Sequence, residues 1–187
     1  MCRINTSNYN NCRTENGISI SGDRGKKAGF TGRCLPMLAP KKEFWQVWHD
    51  NIGKVSEEEN TKYYCTEYYK QVLSKLDPQE VYDMIPDEAI LLCYEGNMDF
   101  CHRHLLAFWF ELFLEVRTSE VYENPIRETL TRLTRPEYLK DVMAEVIKEN
   151  YDMHGFENIK EAYEYNKSFE RETNKKTSKN LSYKLTS

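Results

Sequence analysis

Between Ala89 and Tyr94 the chain reads Ala-Ile-Leu-Leu-Cys-Tyr, an almost unbroken apolar run of strand length. That pattern predicts a central strand covered on both faces. The helix predicted beyond it has no clean polar side, since Leu105, Leu106, Phe108, Trp109, Phe110, Leu112, Phe113 and Leu114 surround it. Such a helix must lie between a sheet and a second cover. Earlier in the chain, Arg3 to Thr6 and Ile18 to Ser21 are short alternating segments. They sit among Asn8, Asn10, Asn11, Gly17, Gly22, Gly25, Gly29 and Gly32, the pattern of strands joined by turns. A last short strand is expected between Val116 and Tyr122.

Helical spacing governs most of the remainder. Phe44, Val47 and Trp48 share one face of a helix starting near Lys41. Ser56 with Glu59 forms a capping box, after which Tyr64, Tyr68 and Val72 recur at four-residue intervals beside Cys65, Tyr69, Leu73 and Leu76. The stripe reads as core, although tyrosines can also stack on a base. Asp77-Pro78 caps a short helix through Ile85. Pro125 is expected to open a further helical region. It holds an amphipathic helix from Thr134 to about Asn150, with Leu139, Val142, Met143, Val146 and Ile147 on one face, and a weaker one over 157–172. Residues 173–187 offer little to bury and are expected to be a disordered polar tail. The C-terminal helices are the expected cover for the apolar helix. Strands and helices in this order make an α/β chain.

With 187 residues, 40% hydrophobic and 13% aromatic, the chain can bury one core of ordinary size plus an appendage. A formal charge of -4 gives no overall footprint for duplex DNA or an anionic membrane. The chain contains no apolar run of the roughly 20 residues needed to span a bilayer. The sequence from Met1 to Asn8 lacks the apolar core of a signal peptide, so a cytoplasmic protein without membrane contact is expected. Cys2, Cys12, Cys34, Cys65, Cys93 and Cys101 contain no C-x-x-C pair, which argues against a zinc ribbon and leaves them as free, mostly buried thiols. Cys93 reads as plain core.

Polar chemistry concentrates where the apolar strand ends. Glu95-Gly96-Asn97-Met98-Asp99 leads into Cys101-His102-Arg103. With Asp99 as N-cap, Cys101 and His102 take the second and third helical positions, beside free N–H groups and the positive end of the helix dipole. There Cys101 should tend towards thiolate and nucleophilicity, with Glu95 as its catalytic companion. Arg103 can grip a phosphate with two parallel bonds, or clamp Glu95 or Asp99. Arg24 and Lys26 follow another predicted strand, where open α/β sheets place ligand-binding groups. Neither Cys93 nor Cys101 has the spacing to Arg103 that a cysteine phosphatase needs, and the loop is too poor in glycine for a P-loop. His102 and His104 cannot share a helix face, and His49 and His154 are isolated.

The run Leu91-Leu92-Cys93-Tyr94-Glu95 followed by Cys101-His102-Arg103-His104-Leu105-Leu106 resembles the DUF488 family, known mainly as a domain of unknown function. Thr6-Ser7-Asn8-Tyr9, Ile18-Ser19-Ile20 with Arg24-Gly25-Lys26, Leu38-Ala39-Pro40 and the helix Tyr64 to Asp77 agree in order, so the resemblance covers roughly residues 3–123. It implies a Rossmann-like layered fold, a single domain over 1–124 with a mostly parallel sheet flanked by helices, followed by a helical extension over 125–172. It also brings Ser7 and Tyr9 into the candidate binding set beside Arg103, His102, Arg24 and Lys26. The insertion Gly22-Asp23 and the glycine-rich stretch Lys27 to Arg33 depart from the family's pattern. No established reaction comes with the resemblance.

The leading expectation is a protein that binds a small phosphate-bearing, nucleotide-like ligand at strand ends and the helix start, either sequestering it or acting on it. The alternative is a nucleic-acid or protein interaction module using Lys175, Lys176, Lys179 and Lys184 with Arg127, Arg132 and Arg135. A metal-dependent enzyme with Cys101, His102 and Glu95 as ligands is a third reading, poorly matched to ordinary zinc spacing. No cofactor is assigned, and the oligomeric state stays open.

Overall fold

The computed structural model describes residues 4–12, 15–124, 126–127 and 129–184, with side chains through residue 171. In chain order the elements are β1 (Ile4–Asn8), β2 (Gly17–Ser19), β3 (Arg33–Cys34), α1 (Lys42–Asn51), α2 (Glu57–Gln71), α3 (Pro78–Met84), β4 (Ala89–Cys93), α4 (His102–Leu114), β5 (Thr118–Asn124), β6 (Thr129–Arg132), α5 (Tyr138–Asn150) and α6 (Ile159–Lys184). The strands form one sheet in the order β3-β2-β4-β1-β5-β6. All neighbours run parallel except β5 and β6. Every residue of β4 is buried, as an apolar strand between two parallel neighbours requires.

Side-chain alternation divides the core between the two faces. Ala89 and Leu91 join Ile4, Ile18 and Ile20 in a cluster with side chains from all six helices. Ile90 and Leu92 point the other way, into a smaller cluster closed by Tyr9, Cys12, Phe30, Tyr94 and Val121. The apolar α4 lies against β1, β4 and β5 on one side and α3, α5 and α6 on the other, which accounts for its lack of a polar face. The stripe on α2 is core as expected, with Tyr68 and Tyr69 buried. Its N-terminus is held by Ser56, whose Oγ accepts from the Glu59 N–H at 3.1 Å. On α1, by contrast, Phe44 is buried while Val47 is exposed.

The C-terminal region departs from the expectation twice. Where Pro125 was to open a helix, the described residues make a turn at 126–127 and then the antiparallel edge strand β6, which continues the sheet. Pro125 itself lies outside the described residues. Helix α6 runs past residue 172 to Lys184 in place of a disordered tail. A helix already anchored by Ile159, Ala162 and Tyr163 can propagate through polar residues, because extension adds one bond per residue fixed. Among the described residues no helix is long and apolar enough to cross a membrane.

Candidate functional site

The carboxyl ends of β2 and β4, the loop after each, and the start of α4 surround a pocket of about 690 Å³. Its floor is Cys93, Glu95, Cys101 and His102. Trp45, Trp48, Tyr64, Tyr94 and Phe100 supply apolar walls, and Asp23, Lys27 and Lys42 line it as well. Phe100 ties the wall together, stacked on Trp48 at 5.3 Å and edge-on to Tyr64 at 5.0 Å.

Helix α4 starts two residues later than the sequence suggests. Cys101 is the N-cap, with extended φ -155° and ψ 141°, so His102 and Arg103 are the first two helical residues. Asp99 accepts instead from the Gly96 N–H at 2.9 Å, closing the loop on itself. At this junction the side chains of the adjacent Cys101 and His102 converge. Sγ of Cys101 lies 2.9 Å from Oε2 of Glu95 and 3.9 Å from Nδ1 of His102. Sγ of Cys93 lies 3.7 Å from the same nitrogen. Nε2 of His102 is 2.9 Å from the Ile20 carbonyl oxygen and must donate to it. Cys93, Cys101 and His102 together present ligand-type atoms all within 4.8 Å of one another.

Cys101 is not the activated thiolate expected. Burial, reinforced by the neighbouring Cys93, pushes its pKa well above the ordinary thiol value, and Arg103 and His102 oppose this only in part. Burial also works against the Glu95 carboxylate, but hydrogen bonds from Cys101, its own N–H and Cys93 prevail and hold its pKa below the usual range. The floor is therefore a neutral thiol donating to an ionised carboxylate.

A family model for DUF488-N3a, the active DUF488-N3 subclade, matches residues 4–113. The chain belongs to this family. No curated protein and no solved structure matches it.

In this DUF488-N3a chain the residues singled out in the sequence separate into two groups. Glu95, Cys101 and His102 meet at the pocket floor. Arg103 does not line the pocket. It is fully buried, with Nη2 3.0 Å from Oε1 of Glu120 and 2.7 Å from the Gly96 carbonyl oxygen. It is a clamp as one sequence reading allowed, but Glu120 on β5 is its partner rather than Glu95 or Asp99. Ser7 is buried and donates to the Val121 carbonyl at 2.6 Å, tying β1 to β5. The Tyr9 hydroxyl sits 2.7 Å from Ser19 and 3.0 Å from Ser21 beneath the loop after β2. Arg24 and Lys26 are exposed on that loop, outside the pocket lining.

That loop is shaped by Asp23. Its carboxylate accepts from the N–H groups of Gly25 and Lys27 and from the Tyr94 hydroxyl at 2.7 Å. Arg24 and Gly25 both adopt positive φ, 62° and 73°, which turns Lys27 towards the pocket. Sequence reasoning missed Cys93, Lys27, Lys42 and the tryptophans. Cys93 was legible as the last residue of a strand that ends at a ligand-binding edge. Of the basic groups in the interaction-module reading, Arg135 is engaged by Glu111 and Glu137 and lies 4.3 Å over the Phe108 ring. The lysine side chains beyond residue 171 lie outside the described residues.

Proposed function

We propose that this pocket binds a small phosphate-bearing, nucleotide-like ligand and presents its reactive part to Glu95, Cys101 and His102. The observation that carries the reading is one cavity, at the strand ends of a mostly parallel sheet, with aromatic walls and a polar floor. Trp45 and Trp48 offer flat surfaces on which a base can stack. Lys27 and Lys42 supply the positive charge for phosphate, a task that Arg103 cannot perform while it neutralises Glu120. The ionised Glu95 accepts hydroxyl hydrogen bonds of a ribose-like group.

The test is to incubate the purified protein with a deproteinised cell extract, then identify by mass spectrometry what is retained and what is consumed. A retained, unaltered nucleotide supports binding and sequestration, and a consumed one with a new product supports catalysis. Candidates so found should quench the fluorescence of Trp45 and Trp48, and Trp48→Ala should weaken binding. If nothing is retained or consumed, the reading fails.

A further inference from the structure

The three floor groups Cys93, Cys101 and His102 come together more closely than separate core residues need to. Sγ of Cys93 and Sγ of Cys101 lie 3.7 Å and 3.9 Å from Nδ1 of His102, and all three ligand-type atoms fall within 4.8 Å of one another. A tetrahedral zinc ion, with bonds of roughly 2.3 Å to sulfur and 2.0 Å to nitrogen, separates its ligand atoms by about 3.5–3.8 Å. The spacing to Nδ1 is thus already close to that of a formed site.

The orientation of the imidazole is an independent observation. A carbonyl oxygen only accepts, so the 2.9 Å contact to Ile20 places the ring hydrogen on Nε2 and leaves Nδ1 free to ligate, with Sγ of Cys101 3.9 Å from it. Sγ of Cys93 lies over the ring, 3.7 Å from Nδ1 and 4.0 Å from Nε2, so a rotation of its side chain or of the ring completes the ligand set. Metal-binding histidines are held in this way, one nitrogen donating to a fixed acceptor while the other ligates. The elements that carry the ligands are also rigid: Cys93 ends the central strand, and Cys101 and His102 begin the most buried helix.

From this geometry we infer that Cys93, Cys101 and His102 bind one divalent cation of the zinc type, with the fourth position open to the pocket. Two sulfurs and an imidazole select a borderline-soft ion over magnesium or calcium, which prefer oxygen. Three protein ligands with an open fourth position are the arrangement of catalytic rather than structural zinc sites. Binding replaces the two thiol protons, which leave to solvent, and frees Glu95 from the Cys101 hydrogen. Glu95 then stands beside the open position, able to take a proton from a water bound there. The inference concerns the metal alone and stands or falls independently of the nucleotide-like ligand.

The full-length protein, stripped with a chelator and titrated with Zn²⁺, should retain one zinc per chain through dialysis, read by elemental mass spectrometry. Loaded with Co²⁺ instead, it should show a thiolate-to-cobalt charge-transfer band and the intense visible absorption of a four-coordinate ion. Cys93→Ser, Cys101→Ser and His102→Gln should each lose the retained zinc, whereas Cys34→Ser should keep it. The wild-type cobalt spectrum reports thiolate ligation even where a variant fails to fold. No retained zinc, a weak cobalt spectrum of the six-coordinate oxygen kind, or a Cys93–Cys101 disulfide that excludes metal would overturn the inference.

Discussion

Arg103 on α4 and Glu120 on β5 form an ion pair of 3.0 Å in which neither side chain has any solvent exposure. Nε of Arg103 reaches both carboxylate oxygens at 3.3 Å, and the Thr6 hydroxyl on β1 donates to Oε2 at 2.6 Å. The pair therefore ties the first turn of α4 to two strands. Removing one partner strands a buried charge, which costs about 3–5 kcal/mol. Arg103→Ala should lose that much stability in urea denaturation. A variant that unfolds like the wild type yet no longer binds ligand would return Arg103 to the binding site.

His104, the next residue, faces the same carboxylate at 3.8 Å without forming an ion pair. Burial first, and then the Arg103 and Arg135 guanidiniums, lower its pKa from 6.5 to about 2, so the ring stays neutral. The unfolded chain takes up a proton below about pH 6.5 and the folded chain does not. This contribution is complete above pH 6.5 and is lost as the pH falls. It should weaken stability by about 2 kcal/mol between pH 7 and pH 5. His104→Leu should flatten that dependence by the same amount, measured by denaturation at both pH values.

Gly25 has φ +73°, and a Cβ added there would sit 2.7 Å from Cβ of Phe30 and 2.9 Å from the Tyr9 hydroxyl. Gly25→Ala should cost about 1–3 kcal/mol through backbone strain and crowding. The displaced loop also carries Lys27, so ligand affinity should fall. At Gly22 an added Cβ meets nothing within 4 Å, and Gly22→Ala should melt close to the wild type. Thermal melts of the two variants side by side make the comparison.

Cys101 is 3% exposed and held neutral, whereas Cys34 is only partly buried. In chelator-treated protein at mildly alkaline pH, iodoacetamide should modify Cys34 well before Cys101, followed by peptide mass mapping. Rapid alkylation of Cys101 would instead reveal the activated thiolate that its place at a helix start suggests.

The element plan was largely visible in the chain because it rests on local periodicity. The apolar run 89–94, the all-round apolar helix after it and the capping box at Ser56 each report an environment that neighbouring residues share. The strand β3, two residues long, carries too little pattern to be seen. The edge strand β6 was hidden for another reason: its four residues are all exposed, so no buried face marks them.

The chemistry divided along the same line. That Glu95, Cys101 and His102 line one pocket followed from their nearness in the chain at a strand-to-helix junction. Sequence alone could not say which way Arg103 points, since its partner Glu120 is seventeen residues away on another strand. Nor could it show that Cys93 meets His102, or that burial outweighs the helix start in setting the Cys101 thiol. Periodicity is encoded within a few residues, and it determined the elements and the strand-to-helix junction at which the pocket opens. Charge pairing, protonation and ligand geometry depend on which groups the packed sheet brings within a few ångströms and shields from water, and only the tertiary structure decided those.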